Sequence, residues 1–208
     1  VTMLKLFYAP TSAYVRKVMV TALELGLADQ IEKLPSAAHP VKRDERIAIA
    51  NPLAKIPAAI TSESDYLFDS RVICEYLDAQ APGLNLFPAE PRTRWQALTL
   101  QALGDGLVDA ALLSRYEMAM RPPERQWDGW VQGQLTKVDA AVARLDEKIE
   151  ALAGPLTIGQ IAVGCALGYL DFRFAHRPWR EKHSRLATWY AAFAERPSMQ
   201  ATIPRDPV

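Results

Sequence analysis

Cysteine is scarce, with Cys74 and Cys165 the two in 208 residues. Neither belongs to a C-x-x-C pair, so a disulfide scaffold and a four-cysteine zinc site are excluded. The three histidines, His39, His176 and His183, share no metal-ligand spacing, and surface or packing roles account for them; no metal is expected. Long apolar runs are missing too. The longest covers residues 161–170, well short of the ~18 residues a membrane span requires. There is no excess of either charge: 24 Lys and Arg balance 24 Asp and Glu. That balance argues against a partner held through a broad basic field, such as nucleic acid or an anionic membrane. It leaves room for a small, locally charged pocket. Residues 1–8 alternate like a strand and lack a long apolar core followed by a cleavage site, so a cytoplasmic protein is expected.

Half of the residues are apolar and 23% are charged, the profile of a globular protein able to build real cores. The first 80 residues mix short strands and helices. Leu4, Leu6 and Tyr8 alternate with Lys5, Phe7 and Ala9, a strand that ends at Pro10. Val15, Val18, Met19, Ala22 and Leu23 lie on one face of a helix that stops near Gly26. Residues 31–34 read as a strand closed by Pro35, and residues 42–50 as a short polar helix ended by Asn51-Pro52. Residues 58–60 and 66–68 flank a polar turn and read as a hairpin, after which Ser70 opens a helix. A stretch with three prolines, Pro82, Pro88 and Pro91, follows and reads as a linker.

Everything beyond it has helical periodicity. One long helix carries Trp95, Leu98, Ala102, Leu103 and Leu107, and a second carries Val131, Leu135, Val138, Val142, Leu145, Ile149 and Leu152. The second stripe is what core packing in a bundle requires. Residues 158–170 are apolar on nearly every face, the mark of a central helix, and a last helix runs from about Leu186 to Ala194. Cys74 and Cys165 lie in apolar helical stretches and read as buried small hydrophobes.

Three local motifs are able to carry chemistry. In Tyr8-Ala9-Pro10-Thr11-Ser12-Ala13, a strand ends and hydroxyl residues precede a helix. Thr11 or Ser12 suits a helix N-cap, and the same geometry aims a hydroxyl and the positive end of a helix at one point, where a thiolate would be stabilised. In Asn51-Pro52-Leu53-Ala54-Lys55-Ile56-Pro57, two prolines stiffen a loop. A cis Ile56-Pro57 bond would leave the backbone of Ile56 free to pair with an extended peptide ligand. In Phe68-Asp69-Ser70-Arg71, Asp69 or Ser70 caps a helix, and that N-terminus is able to receive a carboxylate.

In this order and at these separations, and with Leu156-Thr157-Ile158-Gly159-Gln160-Ile161-Ala162 further on, the motifs resemble the cytosolic glutathione S-transferase family, bacterial type with a serine-class active site, over essentially the whole chain. The resemblance implies an α/β thioredoxin-like N-terminal domain over residues 1–81 and a linker at 82–91. An all-α helical-bundle C-terminal domain over 92–208 completes it. By similarity Ser12 donates to the glutathione sulfur, with Thr11 as its substitute and Tyr8 as a weaker candidate. Ile56 pairs with the cysteinyl backbone beside a cis Pro57. Asp69 and Ser70 hold the γ-glutamyl group, Lys55 or Lys42 meets the glycyl carboxylate, and Thr157 caps the buried helix. The chain departs from the family at Ala13, where Pro is frequent, at Ala54, where Gly is usual, and at Gln160, where Asp is usual.

The implied activity is attack of a glutathione thiolate on a small hydrophobic electrophile held between the domains. Tyr8, Leu107, Ala111, Tyr116 and Met120 are the candidate wall residues, and bundle packing explains the α-helical ones equally well. A homodimer is implied, with glutathione as co-substrate. Two other readings stand beside this one: a scaffold of the same fold that binds a protein partner with little catalysis, and a glutathione-dependent peroxidase or isomerase.

Overall fold

The computed structural model describes residues 2–83 and 85–206. They form two compact units, one of residues 2–89 with 197–206 and the other of residues 90–196. The first unit opens with β1 (Leu4–Tyr8), α1 (Ala13–Glu24), β2 (Ile31–Pro35), α2 (Glu45–Ala50), β3 (Ala59–Thr61), β4 (Tyr66–Leu67) and α3 (Ser70–Gln80). The sheet order is β2-β1-β3-β4. β1 runs parallel to β2 and antiparallel to β3, which in turn is antiparallel to β4. This is a thioredoxin-like sheet.

Side-chain alternation explains how the sheet is covered. Phe7 packs with Ile47 and Ala50 of α2 and with Ala58. Leu4 and Leu6, fully buried, point to the opposite face, and α1 and α3 pack on one another. The proline-rich segment is less of a linker than its composition suggests. Leu86 and Phe87 are buried, and their amides donate to the buried carboxylate of Asp78 at 2.7 and 3.3 Å.

The tail also belongs to this unit rather than to the helical one. Arg16, 6% exposed, donates from Nη2 to the carbonyl of Met199 at 3.0 Å and from Nε to Thr202 at 3.3 Å. These residues lie in and just after α8 (Pro197–Gln200). A buried guanidinium needs such partners, and the chain supplies them from 183 and 186 residues away.

The second unit contains α4 (Pro91–Met120), α5 (Asp128–Glu147), α6 (Ile158–Arg173) and α7 (Ser184–Ala194). Pro91 occupies the first turn of α4, where its missing N–H costs nothing. The expected stripe on α4 is corrected. Trp95 is 63% exposed, Ala102 is exposed, and Leu98 and Leu103 are half-buried. Of the expected residues Leu107 is buried, and the rest of the buried face carries Ala97, Gln101, Gly104, Asp105, Val108 and Ala111. Close helix packing explains the choice of small residues. A methyl group on Gly104 would fall 2.8 Å from the carbonyl carbon of Ala162 on α6. On α5 the apolar stripe is buried from Val131 to Leu145, but its last members, Ile149 and Leu152, sit in a separate 3-10 turn.

Residues 158–170 of α6 are all buried, as a helix apolar on every face requires. Its start is closed by a capping box. Thr157 N–H donates to Gln160 Oε1 at 2.7 Å, and the Thr157 hydroxyl accepts from Gly159 N–H at 3.3 Å. Gln160 also donates from Nε2 to the Pro155 carbonyl at 2.9 Å. An aspartate has no N–H to do that, so the substitution exchanges a charge for a further bond. Among the described residues no helix is long and apolar enough to cross a membrane.

Candidate functional site

The sheet register gathers the three motifs at one end of the first unit. Leu6 pairs with Ala59, and Phe7 N–H donates to the Ala58 carbonyl at 2.9 Å. Ala59 in turn pairs with Leu67. β1 and β4 therefore leave the sheet at the same end at which β3 enters it. Residues 9–12, 55–58 and 68–70 all lie there. Because β1 leads into α1 and β4 into α3, the N-termini of both helices also face that end, with their partial positive charge and spare N–H groups.

Ser12 is the N-cap of α1, and its Oγ accepts from Val15 N–H at 3.3 Å. Capping and chemistry do not compete, because a hydroxyl has two lone pairs and one proton. The cap uses a lone pair and leaves the proton to donate. Thr11 stands beside it, half-buried, at the turn. Tyr8 ends β1, half-buried, with the Lys33 ammonium 5.0 Å from its ring centroid.

The loop after α2 is organised by Asn51, 2% exposed. Its Oδ1 accepts from Leu53 N–H at 3.0 Å and its Nδ2 donates to the Lys55 carbonyl at 2.9 Å. Arg43 adds a bond from Nη1 to the Pro52 carbonyl at 2.8 Å. From sequence, Asn51 reads as the terminator of the preceding helix. The signal for its larger role was there, since asparagine side chains mimic backbone in turns. The loop ends in a cis Ile56–Pro57 bond. Among the described residues neither the N–H nor the C=O of Ile56 is hydrogen-bonded. Lys55 is exposed, and its ammonium has no ion partner among them. Ala54 takes a φ of 51°, the left-handed conformation that explains why glycine suits this position.

Asp69 is the N-cap of α3 and accepts from Arg71 N–H through Oδ1 at 2.8 Å. Its carboxylate is exposed, and Oδ2 is left open to a cation. Ser70 follows at the first helical position and is 2% exposed.

The remaining candidates lie on α4. Leu107 and Ala111, 2% and 0% exposed, are packing residues and present no surface. Tyr116 is half-buried and Met120 is 38% exposed. Burial raises the phenol pKa of Tyr116, with the charge of Arg115 acting weakly the other way.

Known proteins resemble the chain over most of its length. The glutathione S-transferase N-terminal domain family matches residues 11–80, and the glutathione S-transferase C-terminal domain family matches residues 128–192. The GST-like protein YibF of Escherichia coli is 30% identical over 205 residues, 97% of this chain and 98% of its own. A glutathione transferase family member from Pseudomonas fluorescens, solved with bound glutathione, is 46% identical with a TM-score of 0.95, covering 98% of this chain and all of its own. A second structure from that organism, holding S-(propanoic acid)-glutathione, gives 45% identity and a TM-score of 0.91 over 97% of this chain and 100% of its own. Matched along both units and almost end to end, the chain belongs to the glutathione S-transferase family.

Proposed function

We propose that the protein binds glutathione on its first unit and conjugates the glutathione thiolate to a small hydrophobic electrophile. The observation that carries this reading is the convergence at one sheet end of a capping serine with a free proton, an unpaired Ile56 backbone and the Asp69–Ser70 helix start. Each answers a separate part of the tripeptide. The Ile56 N–H and C=O match the cysteinyl backbone, in the manner of an added strand. The open Asp69 oxygen matches the γ-glutamyl ammonium. The Ser70 amide and the α3 N-terminus match its carboxylate, and Lys55 matches the glycyl carboxylate.

Ser12 supplies the chemistry. A free thiol has a pKa of about 8.5, so only a small fraction is thiolate at neutral pH. A hydroxyl that donates to the sulfur favours the charged form and lowers that value. The N-terminus of α1 acts in the same direction. Thr11 is the nearest substitute, and Tyr8 the other hydroxyl at this end. The Pseudomonas relative also holds an S-alkylated glutathione, the form a conjugation product takes.

The same reading assigns a homodimer, and the exposed Trp95, at 63%, is an apolar surface such an assembly would cover. The test of function is retention on immobilised glutathione followed by turnover of a chlorodinitrobenzene. Retention with turnover that falls at least about tenfold in Ser12→Ala supports the proposal. Retention without turnover favours the scaffold reading, and failure of both rejects glutathione chemistry here.

A further inference from the structure

Arg16 follows Ser12 by one helical turn of α1, and its N–H donates to the Ser12 carbonyl at 2.9 Å. The C-terminal tail holds one edge of its buried guanidinium, with Nε on Thr202 Oγ1 and Nη2 on the Met199 carbonyl. The Thr202 hydroxyl gives its own proton to the Ser198 carbonyl at 2.8 Å, so it meets Nε as an acceptor. Ser198, itself buried, donates to Glu24 at the far end of α1. The tail is thus fastened to α1 near both ends of that helix.

The other edge of the guanidinium is unsatisfied. Nη1 is buried and has no hydrogen-bond partner among the described residues. No carboxylate pairs with Arg16 among them either. A buried polar atom in that state is uncommon in native proteins and calls for an explanation. Arg16 lines a cavity of about 10 Å³, walled also by Tyr8, Ala9 and Pro10 at the end of β1 and by Thr202 of the tail. That is room for one water. All of these residues belong to the first unit.

The turn on the far side of the cavity is lightly held. The Tyr8 carbonyl accepts from Ser36 N–H at 2.9 Å and the Ala9 carbonyl from Ser12 N–H at 3.2 Å. The Pro10 carbonyl makes no hydrogen bond among the described residues, and proline has no N–H to give. A water in the cavity would accept from Nη1 and donate to the main chain of the turn, the two polar partners that a buried water requires. We propose that Arg16 is a positioning residue for Ser12, joining the tail at Met199 and Thr202 to the Tyr8–Pro10 turn through one water bound at Nη1. This rests on the transferase reading above and makes the tail part of the support of that site. The guanidinium is planar, so two donors fixed by the tail fix the third as well. The turn leads directly into Ser12, whose hydroxyl must point at the sulfur. A reacting group displaced by about 1 Å can lose about 10²-fold in rate, and a locked supporting side chain is what keeps such an aim.

Two measurements test this. In a crystal structure of the glutathione complex, one ordered water is expected within about 3.2 Å of Nη1, bonded also to a main-chain oxygen of residues 8–10. A dry cavity, or an Nη1 bonded to protein alone, overturns the proposal. The second measurement is the thiol pKa of bound glutathione in Arg16→Lys and Thr202→Val. Lysine keeps the charge and loses the planar fork, and valine removes only the hydroxyl. The thiol pKa should rise by at least about half a unit in Arg16→Lys, about threefold less thiolate at a pH below both values. Thr202→Val should raise it by less. Glutathione affinity should change less than about twofold in either variant, so kcat falls while KM for glutathione holds. Gly104→Ala, which disturbs packing in the other unit, should leave the thiol pKa where it is, so lost stability alone does not give this signature. If Arg16→Lys does not fold, Thr202→Val carries the test. A thiol pKa unchanged in Arg16→Lys, as charge alone would give, or unchanged in Thr202→Val where that variant decides, overturns the proposal. Failure of glutathione to bind the wild type is a different result, which overturns the transferase reading and this proposal with it.

Discussion

The Oγ of Ser12 accepts the amide N–H of Val15 at 3.3 Å. An oxygen used in this way still has a proton to give, so one side chain starts α1 and keeps a donor. In the proposed function the same residue caps the helix and donates to the sulfur, so its replacement should affect both. Ser12→Ala should cost about 1 kcal/mol of stability through the lost cap, read from urea unfolding, besides its effect on turnover.

Ala54 holds φ at 51°, a conformation that costs a residue with a Cβ about 1–2 kcal/mol. Ala54→Gly removes that cost but adds unfolded-state entropy, about 0.4–1 kcal/mol. The net expectation is a gain of roughly 0.5–1 kcal/mol in urea unfolding. Ala54→Val should be destabilising, since a β-branched side chain fits this region worse still.

Two glycines of α4 should respond oppositely to alanine. At Gly104 the added methyl meets the Ala162 backbone at 2.8 Å, and backbone in a packed helix does not yield. Gly104→Ala should cost about 1–3 kcal/mol. At Gly106 the space is open, and alanine should add up to about 1 kcal/mol through helix propensity alone. Thermal melts of the two variants against the wild type check both signs.

Glu90 caps α4, and its carboxylate accepts from Thr93 N–H at 2.8 Å and Arg92 N–H at 2.9 Å. The bond from Thr93, and then that from Arg92, hold its pKa below the ordinary glutamate value. A depressed folded-state pKa stabilises the fold above the unfolded value, about 4.3, and that contribution is lost as pH falls through the folded value. The wild type should therefore melt above Glu90→Gln at pH 6, and the gap should close as the pH is lowered past that window. A gap independent of pH would contradict the assignment.

Much of this was legible in the sequence because the signals were local. Proline, glycine and capping residues mark the ends of α1, α3 and α6, and period-two alternation marks β1. The buried face of α4 was not legible. Hydropathy looks for large apolar residues and picks Trp95, whereas the buried face carries Gly104, Ala111 and even Gln101. The return of the tail to Arg16 was equally hidden, because no local pattern announces a bond spanning 183 residues. At the site, the residue types at Ser12, Ile56 and Asp69 could be read directly. Their meeting at one sheet end follows only from the β1–β3–β4 register, and the role of Asn51 in shaping the loop from its side-chain bonds.

The most direct test of the account is the pKa of glutathione's thiol while bound, titrated through the ultraviolet absorbance of the thiolate. In the wild type it should lie at least about one unit below the free value of about 8.5. In Ser12→Ala it should return most of the way. A bound thiol that titrates at the free value in the wild type, or equally low in both proteins, would contradict the role assigned to Ser12.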